Sequence, residues 1–356
     1  MLANALVAST VFACSSIGPA TVERDRIDYG SAIADSWKQQ TLMNIVKLRY
    51  GDFPIFLEIA QVIAGYQLES TVGAGFNGAN ASGSAVGMFA YGGSALAQGK
   101  YTDRPTLIYA PLTGNDFLKK LMTPIPPSAV LFVLQSGYAA DLVLPIAVDS
   151  INGVRNESRR GMKRAADPDF ARVAQLLREL QLDDAVQIRI ERPKADAEST
   201  MLAFPRSEDP KMTAKSTEIR NILHLNPELR ELSVYYGGYS GKNDEIAMMT
   251  RSMLQIMLEL ATIVQVPESD VASGRAASGA VQVQPPETQA PAVLNILSAE
   301  GPPGDAFVAV QYGGRSFWIA NTDIRSKYTF GFVMLLFSIS DTGVRGSAPV
   351  VTVPAN

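Results

Sequence analysis

Residues 70–84 read STVGAGFNGANASGS, and Gly73, Gly75 and Gly78 fall on the spacing G-x-G-x-x-G. Such glycines cradle a dinucleotide pyrophosphate when the turn opens a helix and an acid follows about 20 positions later. Here the turn runs into ANASGSAVG, which has no helical periodicity, and the nearby downstream acid, Asp103, precedes Arg104-Pro105. The stretch therefore predicts a flexible tip between two strands. GGYSGKN at 237–243 fails the phosphate-loop frame G-x-x-x-x-G-K-[ST], because Tyr236 and Asn243 occupy its outer positions. Ser240 is not in a G-x-S-x-G elbow either, since Lys242 replaces the second glycine. A hairpin turn is predicted there.

His224 lies between Leu223 and Leu225. A general base needs a nucleophile and an orienting acid placed by the fold, and a structural or surface role is the simpler expectation. The acid pairs Asp183-Asp184 and Asp244-Glu245 are expected at helix ends, where capping and macrodipole compensation account for them. One cysteine, Cys14, and one histidine cannot build a Cys/His zinc site, a redox pair or a disulfide. No cofactor is expected. Catalytic, cofactor and metal residues are all left unassigned.

The 356 residues are 47% apolar and 19% charged with a formal net charge of -4, so the chain is globular and has no overall pull toward nucleic acid. Charge is locally biased at Arg155, Arg159, Arg160, Lys163 and Arg164 around Gly161. That run is either a solvated connector or a contact for anionic lipid or a partner.

Residues 2–13, LANALVASTVFA, form an apolar, small-residue run that stops at Cys14, after which polarity rises. VFAC resembles the lipobox of bacterial lipoproteins, with Phe12 at a position usually small or β-branched and no Lys or Arg before the run. This resemblance implies lipidation at Cys14, and acyl chains at ~0.8 kcal/mol per buried methylene make such an anchor essentially permanent. Ser15 after it is not the Asp that marks inner-membrane retention, which points to the outer membrane.

Hydrophobic periodicity places the elements. Residues 31–49 form a helix apolar around much of its surface through Ile33, Trp37, Leu42, Ile45, Val46 and Leu48, expected to be buried on more than one side. Strands are read at 56–69, 86–101 and 104–112, and helices at 113–122, 126–137 and 141–152. Asp167 caps a helix starting at Pro168 with a stripe of Phe170, Val173, Leu176, Leu177 and Leu180. A half-exposed strand follows at 185–191, a polar loop at 195–217, a strand at 232–239 and a Met-rich helix at 244–265. Gly313-Gly314 marks a hairpin, Asp323 opens a helix too short in its apolar run to span a bilayer, and APVVTVPA closes as a strand.

The fold class expected is α+β, with mostly antiparallel strands and several packed amphipathic helices. Five regions are expected: 1–13 signal-like; 14–155 α+β with a long hairpin at 56–101; 156–267 middle α/β; 268–305 linker or long loop; 306–356 hairpin, helix and strand.

Three stretches resemble together an uncharacterised family of proteobacterial proteins, often starting with a lipoprotein-type signal. They are SWKQQTLMNIVKLRYGDFPIFLEI, RPTLIYAPLTGNDFLKKLMTPIPP with the later SING, and SFWIANTDIRSKYTFGFVMLLFSIS. The resemblance implies export and a shared fold, and no activity. The leading expectation is a non-enzymatic, lipid-anchored protein of the outer membrane, facing the periplasm, with a structural or assembly role, a protein partner in the envelope and homo-oligomerisation left open. The alternative is an oligomeric pore with one β-hairpin per subunit, from residues 56–101. Glu58 and the poor alternation near Gln61 weigh against it. A third reading is an envelope hydrolase using His224 or an acid pair.

Overall fold

The computed structural model describes residues 17–63, 66–78, 91–103, 106–159, 164–194, 197–204, 209–279, 293–301 and 303–340. Residues 1–16, with Cys14, and the last predicted strand lie outside them, as do Arg160 and Lys163. The fold is α+β, with helices and mostly antiparallel sheets. The chain divides into two units, Met1–Asp35 with Leu57–Leu112 and Ser36–Phe56 with Thr113–Asn356.

The first helix, α1 (Ile17–Arg49), runs well beyond the predicted 31–49. Its burial begins only near Thr41: Leu42, Ile45 and Val46 are fully enclosed, whereas Ile33 and Trp37 are exposed, against expectation. In the first unit the predicted 56–69 strand is two elements, β1 (Phe56–Ile63) and β2 (Tyr66–Gly78). β3 (Tyr91–Asp103) pairs with β2, and β4 (Thr106–Leu112) pairs with β1.

The second unit is built on a six-stranded sheet, ordered β6-β5-β10-β9-β8-β7. Its strands are β5 (Val148–Ile151), β6 (Val154–Arg155), β7 (Gln187–Lys194), β8 (Ala197–Ala203), β9 (Glu231–Tyr236) and β10 (Glu245–Thr250). Helices α2 (Asn115–Met122), α3 (Pro127–Gln135), α4 (Ala140–Ala147), α5 (Pro168–Leu182) and α6 (Pro210–Ile222) accompany it. In α5 the stripe Phe170, Val173, Leu176, Leu177 and Leu180 is buried as expected, at roughly 1.5–3 kcal/mol per large side chain. Residues 141–152 are not one helix: α4 ends at Ala147 and the chain continues as β5. The turn Asn152-Gly153 has φ of 46° and 86°, the two left-handed positions of a type I′ hairpin joining β5 to β6.

Residues 195–217 contain β8 and most of α6 instead of a loop. Asp209 accepts a hydrogen bond from the Lys211 N–H and Pro210 opens the helix, a cap hidden by the polar composition of the segment. Likewise 244–265 is β10 followed by α7 (Met253–Thr262), divided by a capping box between Ser252 and Gln255. Ile246, Ala247 and Met248 are buried in succession because both faces of β10 are covered. β9 and β10 are parallel, so 237–244 is a crossover and not the predicted hairpin turn. A Cβ on Gly237 would meet the Tyr235 ring at 2.9 Å and one on Gly238 would meet Met249 Cε at 3.0 Å, in both cases the outer part of a side chain that can move aside.

The 268–305 stretch holds α8 (Glu268–Ala272) and β11 (Leu297–Ala299). β11 pairs with β13 (Arg315–Ala320), which pairs with β12 (Ala306–Tyr312) across the Gly313-Gly314 hairpin that the sequence marks. Helix α9 (Ile324–Ser340) packs on β13 and α7 with Phe330, Phe332, Val333 and Leu336 fully buried. No helix among the described residues is long and apolar enough to cross a membrane.

Candidate functional site

The β2–β3 ribbon is the most distinctive feature of the first unit. Its strands are each 13 residues long and pair in unbroken antiparallel register from Tyr66↔Asp103 to Gly78↔Tyr91. Strand residues alternate between faces with period two. The register therefore places Leu68, Val72, Ala74 and Phe76 on one face with Ala95, Ala97 and Tyr101, and places Gln67, Glu69, Thr71 and Asn77 on the other with Ser94, Gln98 and Lys100. Leu96 is the apolar exception on the second face, and Ser70 and Asp103 are the polar exceptions on the first. Tyr66 and Tyr101 lie at one end of the first face and Phe76 and Tyr91 at the other, so aromatics bracket a band of mostly small residues that includes Ser70. At about 3.3 Å per residue the ribbon is roughly 40 Å long, and a strand tilted by ~45° needs only about 9–11 residues to cross a bilayer. Gly73, Gly75 and Gly78 sit inside β2, opposite Leu96, Ser94 and Tyr91, and not at a tip. Among the described residues neither strand has a second neighbour, which leaves both outer edges unpaired.

The second unit encloses a cavity of about 400 Å³ between α3, α4, α5 and α6 and one face of the six-stranded sheet. Aliphatic side chains line its depth, among them Leu144, Val173, Leu202, Val234, Ile246 and Met248. Polar groups gather at the rim: Gln135, Arg178, Gln181, Asp184 and Gln187. Gln181 is fully committed, its Nε2 donating to the carbonyls of Leu134 (2.8 Å) and Tyr138 (2.9 Å) while its Oε1 accepts from the Ala140 N–H (3.0 Å). It pins the α3–α4 turn to α5 at the rim. Half-buried Arg178 makes no hydrogen bond or ion pair among the described residues. The cavity opens at this polar rim, so solvent or a ligand can enter it. Aliphatic walls offer water too few partners to fill it well.

The titratable residues singled out by sequence serve structure. His224 is exposed with φ 55° at the position after the α6 C-cap, where the Leu225 N–H donates to the Arg220 carbonyl (2.8 Å) and the His224 N–H to Asn221 (3.3 Å). This left-handed position favours glycine. His224→Gly is expected to raise stability by about 0.5–1 kcal/mol, read from the urea midpoint. Asp184 holds the same position after α5, with φ 50°. The pair Asp183-Asp184 thus caps a C-terminus, where negative charge opposes the macrodipole instead of compensating it. Asp244-Glu245 lies at the start of β10 and not at a helix end; a hydrogen bond from Lys242 Nζ (2.8 Å) holds Glu245 below the ordinary carboxylate range.

Two tyrosines act as latches. Tyr50 donates to Asp270 (2.8 Å), Tyr312 donates to Asp52, and their rings lie 5.1 Å apart. Burial and then the Asp270 bond push Tyr50 up to about 12; the Asp52 bond and then burial push Tyr312 to about 12. Both phenols stay protonated, which suits latches and not nucleophiles.

Asp323 is the N-cap of α9, accepting from the Ser326 N–H (3.0 Å), Ser326 Oγ (2.7 Å) and Asn295 Nδ2 (2.9 Å). Burial pushes its carboxyl up, but the bonds from Asn295 and Ser326 outweigh it and leave it below the ordinary value. A depressed folded value contributes stability above the unfolded value, near pH ~3.9, and loses it as pH falls through the lower folded one. Asp323→Asn is therefore expected to flatten the acid limb of a stability–pH profile below about pH 4.

Of the basic run, Arg155 is exposed. Arg159 forms a bidentate pair with Glu157 (2.9 and 2.7 Å), and Arg164 reaches the Asn156 carbonyl (3.0 Å) and Asp149 (3.2 Å). Both guanidinium groups brace their own loop. Sequence reasoning missed three polar residues that organise the second unit: Asn152, Gln181 and Arg251. Buried Asn152 donates to the Leu223 carbonyl (2.9 Å) and accepts from the Ala247 N–H (2.7 Å), joining the end of α6 to β10. Its signal was the Asn-Gly dipeptide, a hairpin mark between apolar runs. Among the described residues no three His, Cys, Asp or Glu side chains form a metal-holding group. No family model, curated protein or solved structure matches the chain.

Proposed function

We propose that this chain is an outer-membrane lipoprotein, anchored through Cys14, whose β2–β3 ribbon supplies two strands to an oligomeric transmembrane barrel. The observation that carries this reading is the register of the ribbon, thirteen paired positions with one face mostly apolar or glycine, interrupted by Ser70 and Asp103, and the other mostly polar or glycine, interrupted by Leu96. That is the alternation of membrane barrels, lipid-facing outside and water-facing inside. Aromatics at both ends of the apolar face match the interfacial girdles of such barrels. Glu58 and Gln61, which weighed against a pore, belong to β1, which pairs with β4 and lies outside the ribbon. One ribbon cannot close a barrel, so copies of the chain must pair edge to edge.

The test uses the full chain in native membranes with single cysteines at Thr71, Val72, Ala74 and Gln98. An acylated Cys14 contributes no thiol, so the new cysteine is the reactive one. A membrane-impermeant maleimide is expected to label Thr71→Cys and Gln98→Cys and to spare Val72→Cys and Ala74→Cys. Equal labelling at all four positions overturns the reading.

A second reading, a non-enzymatic structural or assembly role in the envelope, is favoured by Tyr235, Tyr236 and Tyr239, exposed together around the end of β9. Exposed tyrosines suit a protein partner. Cross-linking from Tyr239 to another envelope protein, with no ring-shaped particles in mild detergent, would select this reading over the pore.

A further inference from the structure

The geometry points to a second site, independent of the ribbon: the cavity of the second unit binds a single-chain aliphatic carboxylate, tail inward and head at Arg178. The volume, about 400 Å³, lies within the roughly 300–1,000 Å³ of ligand sites and exceeds the ~150 Å³ of a cavity that takes up benzene. Its walls between sheet and helices are aliphatic in depth, with Leu144, Leu202, Ile246 and Met248 buried. They offer an alkyl chain contact and offer a polar ligand nothing. The rim sets the head-group. Both Gln181 N–H donors are taken by backbone carbonyls, and Asp184 is an exposed residue of a helix cap. Arg178 is the rim's cation, half-buried and without a hydrogen bond or ion pair among the described residues. A guanidinium presents a planar fork that matches a carboxylate through two parallel hydrogen bonds. An aliphatic tail ending in a carboxylate answers walls and rim together.

The experiment is photo-cross-linking of the full chain in native membranes with a twelve-carbon fatty acid bearing a diazirine near its methyl end, read by peptide mass spectrometry. Label is expected on peptides containing Leu131–Leu144 and Val173–Leu177. Excess dodecanoate should compete it away, and dodecanol should compete poorly. Arg178→Gln is expected to weaken capture by about tenfold, the share of one charge-assisted hydrogen bond. Val186→Trp, at a half-buried rim position whose change spares the core, is expected to block entry. Circular dichroism and a urea midpoint close to that of the unaltered chain establish that each variant folds. Equal competition by dodecanol with no effect of Arg178→Gln overturns the head-group assignment. Label confined to the ribbon, or unchanged in folded Val186→Trp, overturns the site. Neither result bears on the barrel, which the cysteine labelling tests separately.

Discussion

Val72→Arg is expected to abolish membrane insertion and conductance, while Thr71→Arg, one residue earlier, leaves insertion intact and lowers the passage of cations. Val72 is at the middle of β2 opposite Ala97, on the apolar face, and Thr71 opposes Gln98 on the polar one. A lipid-facing arginine at the midplane of a barrel costs roughly 2–4 kcal/mol. Every copy in a ring carries the same change, so the cost multiplies with the number of subunits and exceeds what ordinary stability can absorb. At Thr71 the same arginine faces water, where its charge repels cations without opposing insertion. Carbonate extraction of membranes reads the first effect, and planar-bilayer recordings with asymmetric salt read the second. Matching behaviour of the two variants would show that the ribbon has no lipid-facing side.

Arg251→Leu is expected to unfold much of the second unit at physiological temperature. Arg251 lies between β10 and α7 and is only 3% exposed. It donates to the carbonyls of Pro145 (2.9 Å), Ile146 (3.4 Å) and Glu157 (2.5 Å), with Asp149 at 3.8 Å. Pro145 and Ile146 are in the last turn of α4, whose carbonyls lack intrahelical partners and carry the negative end of the helix dipole. Leucine fills much of the volume but takes the guanidinium donor from the Ile146 and Glu157 carbonyls, at about 1–3 kcal/mol each, while the Pro145 carbonyl keeps Asn156 Nδ2 (2.9 Å). Removing one partner of a buried charged network typically costs roughly 3–5 kcal/mol, from a total of ~5–15. Arg251→Lys keeps the charge but loses the fork, so an intermediate shift of the urea midpoint is expected. A midpoint unmoved in Arg251→Leu would refute the role.

Elements with strong periodicity or a tight turn were legible in the sequence. The α5 stripe, the Gly313-Gly314 hairpin and Asp323 at the head of α9 all stand where the pattern puts them. The errors share a cause: short apolar runs do not distinguish a buried strand from a helix. EIAMMT is a strand because both its faces are covered, a fact of tertiary packing that its Ile and Met residues do not encode locally. The α6 helix was hidden by polarity, since most of its residues are not buried and its burial is confined to Met212, Ile219 and Arg220. For the ribbon, alternation was present in the letters, but the strand boundaries were set ten residues too early at one side, which mixed β1 with β2 and blurred the two faces. The cavity was not legible at all, because its walls come from four helices and a sheet brought together from distant parts of the chain.

The open edges of the ribbon carry an arithmetic. Two strands per subunit make the strand count of any closed barrel twice the number of copies, and the smallest bacterial barrels, with about 8 strands, would need about four. If the proposed barrel forms, its closure would depend on a high power of the surface density of subunits, so below a threshold density the membrane would stay sealed and above it pores would appear together. The proposed lipid anchor would confine the subunits to a plane and so lower the copy number at which that threshold is crossed. On that reading expression level would be the valve.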